Sequence, residues 1–209
     1  MVGRIITGDA CVAEGAAWLA QADPRFGMAL AQTGPLPLRL RPGGFAALFD
    51  AIIGQQVSTQ SARAIWARLE SAGLTEEGAV LAATEEDLRA CGLSRQKIRY
   101  AHALAAAQID YAALPAMPDA QVIAMLTAVS GIGTWTAEIY AMFSLGRADV
   151  FAHGDLALQE AARRLFALPE RPKEKEMRRI AEAWAPWRSV AARILWAYYR
   201  VSTAKEGIR

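Results

Sequence analysis

Apolar residues recur every three or four positions along most of this chain. The clearest case is a segment with the spacing i, i+3, i+4, i+7, i+8, formed by Phe45, Leu48, Phe49, Ile52 and Ile53. This spacing places the side chains on one face of an α-helix, where they can be buried together. No segment alternates apolar and polar residues with the period of two that is typical of a strand. The pattern predicts an all-α fold built from many short helices.

Polar residues at the ends of these segments predict where several helices begin. Ser58 or Thr59 can cap the helix that follows them. Thr84 forms a capping-box pattern with Asp87, although Glu or Gln is usual at the second position. Residues 172–184 have an amphipathic pattern that predicts one continuous helix.

The composition limits the classes of protein to consider. The chain has 209 residues, of which 54% are hydrophobic, a net charge of +2 and a pI of about 8.7. This length and apolar content suit one large domain or two closely packed lobes. The small net charge does not by itself indicate nucleic-acid binding. Any DNA affinity must therefore come from local basic groups and backbone amides.

Metal-cluster proteins and membrane proteins are both disfavoured. Cys11 and Cys91 are too few for a four-cysteine zinc or iron–sulfur site, so we expect no iron–sulfur cluster and no catalytic metal. The N-terminal stretch contains Asp9 and Glu14 and lacks the basic region of a signal peptide. No apolar run approaches the roughly 20 residues that span a bilayer. We expect a cytoplasmic protein with no membrane partner.

A short turn between two predicted helices contains two glycines, in the run Ser130-Gly131-Ile132-Gly133-Thr134. Glycine adopts positive φ without strain, so Gly-x-Gly can reverse the chain tightly and expose backbone N–H groups at the next helix. These amides and the helix dipole form an anion site. Ile132 is expected to hold the turn in the core. For Gly-x-Gly alone, an ordinary helix–helix turn with a capping glycine is the commoner alternative.

A carboxylate, Asp155, stands at the predicted start of a helix that runs to Phe166. An aspartate in this place is most often only an N-cap, whose amide hydrogen bonds stabilise the ionised form. A fixed anion can also stabilise positive charge that develops on a substrate. Asp149 is a second carboxylate nearby, which we interpret as structural, bonding the loop backbone.

Four segments, in order along the chain, are similar to one family of proteins. They are Ile52-Ile-Gly-Gln-Gln-Val-Ser58, Val129-Ser-Gly-Ile-Gly-Thr-Trp-Thr-Ala137, Asp149-Val-Phe-Ala-His-Gly-Asp-Leu156, and Trp184-Ala-Pro-Trp-Arg-Ser189 followed by Trp196. Over residues 40–200 or so, the chain resembles the helix–hairpin–helix (HhH-GPD) superfamily of DNA glycosylases. Within that superfamily it looks most like the bacterial DNA-3-methyladenine glycosylase II group, without the N-terminal β domain of the longer members.

The resemblance implies a particular division of the chain. Two closely packed lobes are expected, with the active site in the cleft between them. One lobe would be formed mainly by residues 45–145, including the hairpin at 129–136. The other would be formed by residues 1–44 and 146–209.

The resemblance also implies an activity. A glycosylase of this group flips an alkylated purine out of duplex DNA and hydrolyses its N-glycosidic bond, leaving an abasic site. Bases of the 3-methyladenine and 7-methylguanine type are already cationic. One carboxylate, Asp155, can then suffice to stabilise the oxocarbenium-like sugar. Bifunctional members carry a lysine where this chain has Trp135, so we expect a monofunctional enzyme.

The base pocket and the DNA wedge are assigned from the same resemblance. Trp135, Trp196 and Ile139 would line the pocket, where aromatic faces stack on electron-poor bases. Gln56 would fill the gap left by the flipped nucleotide, and Gln55 would probe the minor groove. The implied partner is double-stranded DNA containing alkylated bases. The protein would act as a monomer, associated with the nucleoid when bound.

The remaining DNA contacts are assigned to the hairpin and two other segments. Backbone phosphate would be bound by Ser130, Gly131, Ile132, Gly133, Thr134 and Thr136. His153, Arg188 and Ser189 would add further contacts. No cofactor is expected, although the hairpin carbonyls could hold a structural monovalent cation.

Two alternative functions stay open. A non-catalytic helix–hairpin–helix module could dock on DNA for a partner, although Asp155 downstream of the hairpin favours an enzyme. The same fold could also act on hypoxanthine, uracil or an etheno-adduct. Ile139 stands where the best-known family members have a tyrosine, so the pocket is less aromatic and the substrate range stays open.

Overall fold

The computed structural model describes residues 2–206, and the chain divides into two compact units. Unit 1 comprises Met1–Arg41 and Ala141–Arg209. Unit 2 comprises Pro42–Tyr140. Both boundaries lie a few residues before the positions expected from the sequence, which were 44/45 and 145/146.

Helices account for the regular structure of the described residues, which confirms the predicted all-α class. The α-helices are α1 (Asp9–Ala22), α2 (Pro24–Thr33), α3 (Phe45–Gly54), α4 (Thr59–Ser71), α5 (Glu77–Ala82), α6 (Glu85–Ala90), α7 (Arg95–Ala106), α8 (Asp119–Thr127), α9 (Thr134–Phe143), α10 (Leu156–Leu165), α11 (Glu174–Ala181) and α12 (Arg188–Glu206). Two 3₁₀ turns lie at Leu114–Ala116 and Glu182–Trp184. Over residues 2–206, no helix has the length and apolar character required to cross a membrane.

In unit 1 the long helix α12 packs against α1, α2 and α10. Aromatic rings form much of the core beside it. Trp184 stacks on Phe166 with the ring centroids 5.7 Å apart. The Trp184 centroid also lies 5.5 Å from that of Phe26 and 5.3 Å from that of Phe151. Burial of these large rings supplies the apolar area that fixes α12 in place.

In unit 2, helix α7 packs against α3, α5 and α6. The apolar face predicted for α3 is buried, which confirms the spacing argument. Lys97 of α7 is also buried, and its Nζ donates a hydrogen bond to the carbonyl oxygen of Ile53 at 2.6 Å. A lysine in this place satisfies a carbonyl at the C-terminal end of α3. Burial lowers the pKa of the Lys97 ammonium.

The helix ends confirm some of the capping predictions and correct one helix. Ser58 caps α4, and Thr84 forms the predicted capping box with Asp87 at the start of α6. The single helix predicted for residues 172–184 is wrong. Helix α11 ends at Ala181 and a 3₁₀ turn follows, because Pro186 just beyond prevents α-helical continuation.

Candidate functional site

The hairpin of unit 2 joins α8 to α9, and its first glycine is required by the backbone. Gly131 has φ of +97°, and a Cβ built there would lie 2.4 Å from Cγ of Tyr100. Any other residue would therefore be strained and would collide with the ring. Ile132 is 4% exposed and holds the turn in the core, as expected.

The second glycine of the hairpin is in a different situation. Gly133 lacks a positive φ, and a Cβ built there would meet no atom within 4 Å. Gly133 is exposed, as are Ser130 and Thr134 on either side of it. The start of α9 therefore presents its backbone to solvent. Thr136, which the sequence also assigned to phosphate binding, is only 7% exposed, and its part in binding stays a prediction.

Gln55, which the sequence assigned to the DNA wedge, supports the hairpin. Its Nε2 donates a hydrogen bond to the carbonyl oxygen of Gly131 at 2.9 Å. That carbonyl is one of those to which the resemblance assigned a monovalent cation. This amide is thus engaged within the protein, and the minor-groove contact by Gln55 stays a prediction. No cluster of three or more His, Cys, Asp or Glu that could hold a metal exists among the described residues.

Gln56 differs from its neighbour in both exposure and backbone conformation. It is exposed and has φ of +56°, in the left-handed region that a non-glycine residue rarely adopts. Strain of this kind costs about 1–3 kcal/mol and is concentrated at ligand-binding sites. Beside Gln56 lies a cavity of about 270 Å³, which Ser94, Gln96 and Lys97 also line. Gln55 lines the same cavity, and Gln56 is the more exposed of the two glutamines.

Asp155 lies in unit 1, where it caps α10. Its Oδ1 accepts hydrogen bonds from the backbone N–H of Leu158 at 3.0 Å and from Nε1–H of Trp196 at 3.2 Å. The backbone N–H of Asp155 donates to the carbonyl of Ala152 at 3.0 Å. Hydrogen bonds of its backbone and of its side chain therefore hold Asp155 in place. Both of these donors bind Oδ1, so the N-cap role is observed and the catalytic role stays a prediction.

Trp196 connects this carboxylate to a set of charged and aromatic groups within unit 1. Its half-buried ring lies 5.8 Å from the ring of Phe143, centroid to centroid. The guanidinium carbon of Arg39 lies 5.7 Å from the Trp196 ring centroid. Trp196 thus makes a cation–π contact within unit 1, as an electron-rich ring face does with positive charge.

Two residues of α9 were assigned to the base pocket, and they differ in exposure. Trp135 is 47% exposed, which is unusual for so large an apolar ring. Ile139 is 9% exposed. Their contact with a base stays a prediction.

His153 and Ser189, which the sequence assigned to DNA contacts, both have buried side chains, and these contacts stay predictions. The ring of His153 packs on Phe151 with the centroids 5.2 Å apart. The hydroxyl of Ser189 is engaged by the guanidinium of Arg193, and its backbone N–H donates to the carbonyl of Ala148. These two residues shape the loop and the helix start from within the core.

Arg188 and Asp149 form an ion pair with Nε and Oδ1 3.4 Å apart. The structural role predicted for Asp149 therefore includes a side-chain partner at the start of α12. Pairing of this kind also holds Arg163 and Arg164, which both bind Glu160. Such ion pairs leave these arginines less available to DNA than their number suggests.

Sequence reasoning missed Arg193 and Arg39. Arg193 is 1% exposed, and its pKa falls to about 10 because of burial and then the charge of Arg39. An arginine three positions before Trp196 in an apolar helix was the only available signal. Arg39 stands in a proline-rich loop, and its left-handed backbone, with φ of +59°, leaves no trace in the sequence.

The described residues form helices, and an exposed hairpin stands at the start of one of them. This arrangement is typical of the helix–hairpin–helix class of DNA-binding proteins. Comparison with known proteins narrows the class. Residues 49–186 match the family described as HhH-GPD superfamily base excision DNA repair protein. The chain belongs to this superfamily.

The similar proteins point in the same direction. The chain is 32% identical over 174 residues to DNA-3-methyladenine glycosylase 1 of Schizosaccharomyces pombe, covering 78% of this chain and 75% of that protein. A DNA-3-methyladenine glycosidase from Bacillus halodurans has a TM-score of 0.82 at 32% identity, covering 97% of this chain and 95% of that one. The S. pombe 3-methyladenine DNA glycosylase in complex with abasic DNA gives a TM-score of 0.76 at 27% identity, covering 88% and 95%.

Proposed function

We propose that this protein is a base-excision DNA glycosylase that hydrolyses the N-glycosidic bond of alkylated purines and leaves an abasic site. The observation that carries the proposal is the carboxylate of Asp155, held by the N–H groups of Leu158 and Trp196. Both the family and the named activities of its relatives support an enzyme over a docking module.

The chemistry requires an anion beside the anomeric carbon. Positive charge develops on the sugar as the base departs, and Asp155 would stabilise that charge and orient the attacking water. No second acid is required when the base leaves as a neutral molecule from a cationic nucleotide. Purines alkylated at N3 or N7 meet this condition, which is why we propose them as substrates.

Recognition of the base would use the aromatic ring of Trp196. Stacking on an aromatic side chain contributes about 1–3 kcal/mol per base, and a cationic base adds an attraction to the ring face. The same ring carries the indole N–H that binds Asp155. Trp196 would therefore both hold the base and keep the carboxylate in place.

Duplex DNA would be bound by unit 2. The exposed amides at the start of α9 would bind a backbone phosphate, and Gln56 would occupy the gap in the base stack, since flipping a nucleotide costs a few kcal/mol. The protein would act as a cytoplasmic monomer without a redox or metal cofactor. A monovalent cation at the hairpin carbonyls, among them that of Gly131, is compatible with this function.

The decisive experiment compares base release by wild-type protein and by Asp155→Asn. Methylated duplex DNA is incubated with each, and free 3-methyladenine and 7-methylguanine are measured. The asparagine keeps an oxygen for the Leu158 N–H but loses the charge, so release should fall at least roughly 10²–10³-fold while the protein stays folded. Asp149→Asn, a carboxylate outside the reaction, serves as the matched control.

The outcome that would reject the proposal is equally clear. A wild-type protein that binds the duplex and releases no base would be a non-catalytic DNA-binding module. Release of hypoxanthine, uracil or an etheno-adduct from defined duplexes, without release of methylated purines, would show that the protein is a glycosylase with a different substrate.

A further inference from the structure

Arg39 has a strained backbone in a place where no turn glycine is available. Its φ of +59° lies in the left-handed region, which a non-glycine residue rarely adopts. Strain persists only where the surrounding structure enforces it, and it marks positions where a side chain must point in a given direction.

Three hydrogen bonds within unit 1 enforce this conformation from either side. The buried guanidinium of Arg193 donates to the carbonyl oxygen of Leu38, from Nη2 at 2.9 Å and from Nε at 3.2 Å. On the other side, the backbone N–H of Arg41 donates to the carbonyl oxygen of Phe143 at 3.1 Å. Leu38 and Arg41, on either side of Arg39, are thus both fixed by hydrogen bonds. The side chain of Arg39 lies over Trp196.

A second arginine lies on the same side of this tryptophan. Arg193, Trp196 and Arg200 follow the spacing i, i+3, i+7 along α12, which places them on one helix face. Arg200 is exposed, one helical turn beyond Trp196. It is close enough to Arg39 for its charge, after the effect of burial, to lower the pKa of the Arg39 guanidinium.

Over residues 2–206, neither of these two exposed arginines has an anionic partner. Other arginines of the chain pair with carboxylates, as Arg25 does with Asp23. Within the part of the chain that the structure describes, Arg39 and Arg200 make no hydrogen bond to a carboxylate and no ion pair. Two like charges beside an aromatic ring repel each other, and an anion between them would remove that repulsion.

We infer that Arg39 and Arg200 form an anion site that binds a backbone phosphate of the damaged DNA strand next to the flipped nucleotide. The inference rests on the proposed function, which places the base on Trp196. The guanidinium group suits this ligand because its planar set of N–H donors matches two phosphate oxygens at once. Arg193 acts differently, as a positioning residue that holds the turn on which Arg39 stands.

The first test measures DNA affinity against salt concentration. Arg39→Gly keeps the left-handed backbone and removes the charge, and Arg200→Gln removes the second charge. Each should weaken binding to a duplex with an abasic-site analogue roughly five- to tenfold, and reduce the slope of log Kd against log salt by about one. Arg179→Gln, an exposed arginine of α11 in the same unit, is the matched control and should change neither value by more than about twofold.

The second test locates the phosphate. Single methylphosphonate groups, which are neutral, are placed along the damaged strand around the abasic analogue. Wild-type protein should lose affinity roughly five- to tenfold at one of these positions, where Arg39→Gly should lose almost none. Thermal unfolding of each variant verifies that it is folded.

Two results would overturn the inference. One is an unchanged salt slope in both Arg39→Gly and Arg200→Gln. The other is a methylphosphonate profile of Arg39→Gly that runs parallel to that of the wild type. Base release is measured on a separate methylated duplex, so failure of the proposed function and failure of this site are distinguished.

Discussion

The two glycines of the hairpin should respond in opposite ways to alanine substitution. At Gly131, φ is +97°, and the new Cβ would lie 2.4 Å from Cγ of Tyr100. The left-handed backbone costs alanine about 1–2 kcal/mol, and displacing the packed ring costs about 1–3 kcal/mol. We expect Gly131→Ala to lower the free energy of unfolding by about 2–4 kcal/mol. For a chain of this size, Tm would fall by roughly 5–15 °C.

Gly133→Ala should leave the fold intact and weaken the interaction with DNA. Nothing lies within 4 Å of a Cβ at this position, and its backbone needs no positive φ. The free energy of unfolding should stay within about 0.5 kcal/mol of the wild-type value, or rise by up to about 1 kcal/mol. The added methyl group would stand where a phosphate approaches the exposed amides. Affinity for duplex DNA should therefore fall roughly tenfold or more.

Urea and thermal denaturation measure the first effect, and fluorescence anisotropy with a duplex carrying an abasic-site analogue measures the second. Gly3→Ala, an exposed glycine of unit 1 with no atom within 4 Å of its Cβ position, is the control for a glycine that has neither role. Equal destabilisation by Gly131→Ala and Gly133→Ala would refute the packing argument. A folded Gly133→Ala with wild-type affinity would refute the phosphate argument.

Three further predictions concern the chemistry and the acid stability. Trp196→Phe keeps an aromatic ring but removes the N–H that binds Asp155. The rate of base release, measured by single-turnover kinetics, should therefore fall more than the affinity for substrate. A loss of affinity alone would contradict this expectation. The DNA strand should stay intact after base release until heat or alkali is applied, because Trp135 offers no amine, and direct scission seen on a denaturing gel would exclude a monofunctional enzyme. The pKa of Glu160 is lowered to about 2 by hydrogen bonds from Arg163 and then Arg164. The stabilisation that the Glu160 carboxylate provides is therefore complete above the usual glutamate pKa of about 4.3. It is lost as the pH falls toward 2. The difference in unfolding free energy between wild type and Glu160→Gln should therefore shrink over that range, and a difference independent of pH would refute the ion-pair origin.

The parts of the fold that were predictable depend on local interactions. The buried face of α3 follows from the spacing of five apolar residues. The capping box of Thr84 and Asp87 follows from two residues three positions apart. Signals of this kind are contained in a short segment, so the sequence carries them directly.

The features that could not be predicted depend on contacts between distant segments. Gln55 meets the carbonyl of Gly131, 76 positions away, and no pattern within its own segment indicates this. Ser189 is buried because Arg193 takes its hydroxyl. A polar residue of this kind can either contact a ligand from an exposed position or bind a partner inside the protein. Only the tertiary packing decides between these two roles. The roles of Asp155 and Trp196 in catalysis stay predictions, since their mutual hydrogen bond shows position and not reaction.

The hydrogen bond from Gln55 to Gly131 has a consequence for how DNA would be distorted. Gln55 directly precedes Gln56, so the bond joins the proposed insertion point to the proposed phosphate contact within one unit. The spacing between these two points is then set by the protein before any DNA arrives. Duplex DNA would have to bend or stretch to match that spacing, at an elastic cost of order 1–6 kcal/mol that depends on local sequence. Stacking weakened by a lesion would reduce this cost, so damaged sites would be favoured before any base enters the pocket.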